Sequence, residues 1–101
     1  MQSSWPFDDP PNVAVITLAQ IIEQGYPVLY VSHDSDDGAW QFLHDGTNEI
    51  EDARLISLRA MVERDQTLLQ LADLSLGWYA WRSSATEPWV RASKNQVAEQ
   101  R

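Results

Sequence analysis

The chain reads as one α+β domain, a small antiparallel sheet of about four to five strands with two to three short helices packed on it. Three observations carry that reading. Residues 27–33 and 39–44 are β-branched and aromatic runs on either side of an Asp-rich turn; leucines from 55 to 74 sit behind candidate helix caps; and a Trp-rich run at 77–82 returns to strand chemistry. With 44% apolar residues in 101, there is material for one core and too little length for two domains.

Residues 1–12 are expected to form an extended arm, because Pro6, Pro10 and Pro11 lack amide donors and restrain their neighbours, with Trp5 and Phe7 available to anchor it. The domain proper is placed at 13–92. Thr17 and Gln20 have capping-box spacing, Leu18, Ile21 and Ile22 form an apolar stripe, and Gly25 suits a left-handed C-cap, so a helix is expected from about 18 to 24. Pro27 to His33 carries apolar residues on both alternating faces, as a central strand does. Asp34-Ser35-Asp36-Asp37-Gly38 makes the turn, and Ala39 to His44 returns. A five-residue turn sets position 33 opposite 39, Tyr30 opposite Phe42 and Leu29 opposite Leu43. After a second turn at 45–48, a short strand is expected at 53–58. Ser57 caps a helix over 58–64 and Asp65 caps another over 66–73, the latter burying Leu68, Leu69, Leu71 and Leu74. Residues 77–82 form a strand, 88–91 an edge strand where Pro88 is tolerated, and 93–101 a polar tail.

Charge is distributed unevenly. Residues 1–53 hold ten acids and no Lys or Arg, whereas residues 54–101 hold five acids and seven bases. Nucleic-acid binding depends on neutralising phosphates, so the base-free half argues against it. The absence of cysteine excludes disulfides and a thiol nucleophile, and favours a reducing compartment. The first residues lack the cationic start and apolar core of a signal peptide, and no apolar run approaches the ~20 residues that span a membrane. The expected location is the cytoplasm.

No catalytic constellation or cofactor motif emerges. His33 and His44 invite a metal hypothesis, but in the expected hairpin they lie roughly 16 Å apart. Asp34, Asp36 and Asp37 resemble the start of a calcium loop, yet Gly38 and Ala39 stand where an oxygen ligand and a glycine are required, and the twelfth position is Asp45 rather than Glu. Neither a Gly-x-Ser-x-Gly elbow nor a glycine-rich phosphate loop is present. Five tryptophans provide core material, and Trp78 and Trp81 fall on opposite faces of their strand, so one aromatic surface is open to a partner unless both faces are covered.

Several segments together resemble a bacterial family of small proteins, the immunity protein 33-like group. They are Asp37-Gly38-Ala39-Trp40-Gln41-Phe42, then Gly46 and Glu49, then Leu55-Ile56-Ser57-Leu58, Arg64-Asp65-Gln66-Thr67-Leu68 and Leu76-Gly77-Trp78. The likeness covers about residues 26–82; this chain carries Ala39 within the hairpin motif and Gln66 where the family has proline. It implies a protein that is not an enzyme and that neutralises a toxin by binding it, or a domesticated relative with another target. The corresponding expectation is a protein-binding module contacting a basic partner through Asp34, Asp36, Asp37, Asp45, Glu49, Glu51 and Asp52, with Trp40 as anchor. The alternative is a small-molecule-binding domain or small enzyme with a pocket walled by Trp40, Tyr79 and Trp81 near His33 or His44.

Overall fold

The computed structural model describes residues 5–44 and 50–94. In chain order these form β1 (Ala14–Leu18), α1 (Ala19–Gln24), β2 (Tyr30–His33), β3 (Trp40–Leu43), a 3-10 turn (Ile50–Asp52), β4 (Ala53–Ser57), α2 (Leu58–Arg64), a 3-10 helix (Gln66–Leu71), β5 (Trp78–Trp81) and β6 (Val90–Ser93). The α+β class holds, but the sheet is mixed and has six strands in the order β4-β1-β3-β2-β5-β6. The additional strand is β1. It pairs antiparallel with β4 and parallel with β3, so the sheet is not wholly antiparallel.

Two local readings of the sequence change. Thr17 is not the cap of α1: it lies within β1 fully buried, its hydroxyl donating to the Phe42 carbonyl at 2.8 Å, and the N-cap is Leu18, with no side-chain cap. Gly25 does close α1 in the left-handed region, at φ 78°. The β2–β3 register differs by one residue, with His33 opposite Trp40, Val31 opposite Phe42 and Tyr30 opposite Leu43. Ala39 belongs to the turn because the Asp37 carboxylate accepts its amide at 2.9 Å and the Asp34 amide donates to its carbonyl at 2.9 Å, while Gly38 at φ 75° makes the reversal. A one-residue slip exchanges the faces of every side chain in the partner strand, so Phe42 shares a face with Val31 rather than with Tyr30.

The helices follow their caps. The Ser57 hydroxyl accepts the Ala60 amide at 3.0 Å, and Leu58, Met61 and Val62 recur at i, i+3, i+4 and are buried. Asp65 both ends α2 and caps the next segment by accepting the Thr67 amide at 3.0 Å. That segment winds as a 3-10 helix and ends at Leu71, short of the expected α-helix to 73, while still burying Leu68, Leu71 and Leu74. Together with Ile21 these side chains cover one sheet face, formed by Val15, Val31, Phe42 and Ala80. The N-terminal arm joins this core: Phe7 is buried, its ring edge-on to Trp40 at 5.4 Å.

The opposite sheet face carries Leu55, Ile16, Gln41, Ser32, Tyr79 and Ala92 in one row across the strands, and Leu43, Tyr30, Trp81 and Val90 in the next. Leu55 and Trp81 there are 70% and 43% exposed. Among the described residues no helix is long and apolar enough to cross a membrane.

Candidate functional site

The acids expected to form one surface lie at two ends of the sheet. Asp34, Asp36 and Asp37 occupy the turn between β2 and β3, whereas Glu51 and Asp52 precede β4, whose first residue Ala53 pairs with the last residue of β1. β1 and β3 run parallel, so these groups are separated by more than a strand length, over roughly 15 Å. Asp45 and Glu49 lie outside the described residues.

At the turn end carboxylates come from three segments, the arm, the β2–β3 turn and the loop before β5. Asp8 and Asp9 arrive on the arm, Asp36 and Asp37 stand exposed on the turn, and Asp73 comes from the loop before β5. Asp8, Asp9 and Asp73 line a cleft of about 320 Å3 with Pro6, Leu76 and, beneath them, His33 and Trp40. The His33 and Trp40 rings stack at 3.9 Å. A carbonyl can only accept, so the 2.8 Å contact from His33 Nδ1 to the Leu74 carbonyl places a proton on Nδ1. Trp40 is 3% exposed and its indole donates to Asp9 at 2.9 Å. The tryptophan expected to reach a partner instead ties the acidic arm to the core, and burial removes it from the surface.

Asp34, at the start of the same turn, is held by three donors. Its Oδ1 accepts the Ser32 hydroxyl at 2.6 Å and the Lys94 ammonium at 3.3 Å, and its Oδ2 accepts the Gln41 amide at 2.8 Å. Burial opposes ionisation most strongly, yet the hydrogen bonds from Ser32, Gln41 and Lys94 and the Lys94 charge together keep the carboxyl below its ordinary 3.8. Asp73 is likewise lowered, by the hydrogen bond and charge of Arg91 at 2.8 Å. Asp8 and Asp36 make no ion pair among the described residues.

Among the described residues, the other arginines are engaged away from this end, Arg64 by donating to the Ile22 carbonyl at 3.0 Å. Arg82, which is buried, pairs with Asp65 at 2.7 Å, Arg59 with Glu63 at 3.2 Å, and Arg54 with Glu23 at 3.7 Å. Asp52 accepts the Gln20 amide at 2.8 Å. Among the described residues, Lys94 and Arg91 thus pair with Asp34 and Asp73, while Asp8, Asp9, Asp36 and Asp37 are left without an ion pair.

The alternative aromatic pocket is not assembled. Trp40 shares the helix-covered face with His33 and Trp78, whereas Tyr79 and Trp81 project from the opposite face, where Tyr79 stacks on Tyr30 at 5.5 Å. His44 sits at the far end of β3 against Tyr26, its Nδ1 3.0 Å from the Pro27 carbonyl. Among the described residues no three His, Cys, Asp or Glu side chains gather to hold a metal ion. No local pattern marks Asp8, Asp9, Asp73 or Lys94 for this end, because each joins it through long-range pairing of arm, loop and β6. No family model, curated protein or solved structure matches this chain.

Proposed function

We propose that the chain is a non-enzymatic, cytoplasmic protein-binding module that docks a basic protein, and not nucleic acid, at the turn end of its sheet. The observation that supports this reading is a cleft lined by Asp8, Asp9 and Asp73 at the same end of the sheet as the exposed turn acids Asp36 and Asp37, while Arg54, Arg59 and Arg82 pair elsewhere. Concentrated negative potential steers a basic partner by long-range attraction, and low-dielectric walls such as the stacked His33 and Trp40 rings focus it. An immunity-like role, in which occupancy neutralises a basic toxin, is the form of this function that the family resemblance suggests.

Affinity capture from the native host tests it, using the wild-type chain and an Asp8→Asn/Asp36→Asn/Asp37→Asn variant at low and moderate salt. A basic protein retained by the wild type, released by salt and lost with the variant is the expected outcome. Capture of no basic protein, or of one the variant holds equally well, rejects the reading.

A further inference from the structure

We propose that Ser32, Asp34 and Gln41 form a binding site for a primary ammonium group, filled here by the chain's own Lys94 and opened to a lysine side chain of a basic partner when Lys94 is displaced. The incoming lysine rests on the partner reading above; the site does not.

The Lys94 Nζ lies 2.8 Å from the Ser32 hydroxyl oxygen and 3.3 Å from Asp34 Oδ1. Ser32 gives its own proton to Asp34, so its oxygen is turned as an acceptor toward the ammonium, and Gln41 holds the second carboxylate oxygen. Ser32 is 2% exposed and the Asp34 side chain 20%. These groups are positioned by the sheet, with Ser32 paired to Gln41 on β3 and to Tyr79 on β5, so the acceptors stay in place without the amine.

Lys94 is held differently. Its side chain is 42% exposed, and it follows β6 at the sheet edge, tied by its amide to the Gly77 carbonyl at 2.9 Å. A partly exposed ion pair is weak enough to exchange. Two acceptors converging on one nitrogen suit a compact ammonium rather than the planar fork of a guanidinium. Lys94 is also the one lysine in the sequence, so no other lysine of the chain can replace it. It therefore acts as an internal competitor that covers Asp34 until a second lysine takes the site.

Titration of the isotope-labelled full chain with n-butylammonium, read by amide and side-chain chemical shifts, tests this. In Lys94→Ala, and in Lys94→Gln, which keeps part of the stem without the charge, saturable shifts are expected at Ser32, Asp34 and Gln41, with half-saturation about fivefold lower than in the wild type. Arg59→Ala, which removes an equal charge from the exposed Glu63 pair, is expected to titrate like the wild type. Identical titrations of the Lys94 variants and wild type, shifts elsewhere in the sheet, or an Arg59→Ala response matching Lys94→Ala would overturn the site. Failed protein capture alongside a successful titration removes the partner reading alone.

Discussion

Arg82 and Lys94 are both cations from the basic half of the chain bonded to a carboxylate, and they are built for opposite purposes. Arg82 is buried: beyond Asp65 it donates to the Val28 carbonyl at 2.8 and 3.0 Å, to Thr67 at 3.1 Å and to the Ala85 carbonyl at 3.2 Å, with its guanidinium 4.1 Å from the Trp89 ring centre. It ties the end of β5 to the loop before β2, to the capped start of the 3-10 helix and to the loop that follows β5. Lys94 touches two oxygens from the solvent side. Burial, more than pairing, separates a staple from an exchangeable contact, because an ion left alone in the interior loses its solvation without compensation.

That contrast is broken most severely at Arg82. Arg82→Ala should cost about 3 to 5 kcal/mol in chemical denaturation, leaving Val28, Thr67 and Asp65 acceptors without their donor; a loss under about 1 kcal/mol would place the pair among ordinary surface contacts. Asp65→Ala should follow at about 2 to 3 kcal/mol, since it removes the Thr67 cap and strips Arg82 of its counter-charge. At the other node, Lys94→Ala should cost less than about 1 kcal/mol.

Asp34 sharpens the comparison through pH. Its folded-state pKa is depressed, so its ionisation stabilises the fold above the unfolded value and that contribution disappears as pH falls below about 5 through the folded value. Asp34→Asn should therefore flatten the acid limb of a stability-versus-pH curve. An unchanged acid limb would mean that the Ser32, Gln41 and Lys94 contacts do not favour the charged form.

Much of the fold was legible because its signals are local. Gly25, Ser57 and Asp65 each sit beside the backbone groups they cap, and the β2–β3 hairpin follows from two β-rich runs about a turn. β1 was hidden because Val13 to Ile22 fits both a strand and a helical stripe, and Thr17, which looks like a cap, instead donates its hydroxyl to a carbonyl 25 residues away. The register slipped for want of one fact, that Asp37 folds Ala39 into the turn. Charge asymmetry pointed to the acids but not to their grouping: Asp8, Asp9 and Asp73 reach the turn end only through the docking of the arm and the placement of β5. Lys94 meets Ser32 from 62 positions away, and no spacing rule reaches that far.

The central claim is that the turn end, and not the end carrying Glu51 and Asp52, receives a basic partner. Chemical-shift mapping with a lysine-rich peptide addresses it directly. Salt-sensitive shifts centred on Asp8, Asp9, Asp36, Asp37 and Asp73 are expected, with Glu51 and Asp52 little moved; equal shifts at both ends, or shifts confined to Glu51 and Asp52, would rule out docking at the turn end.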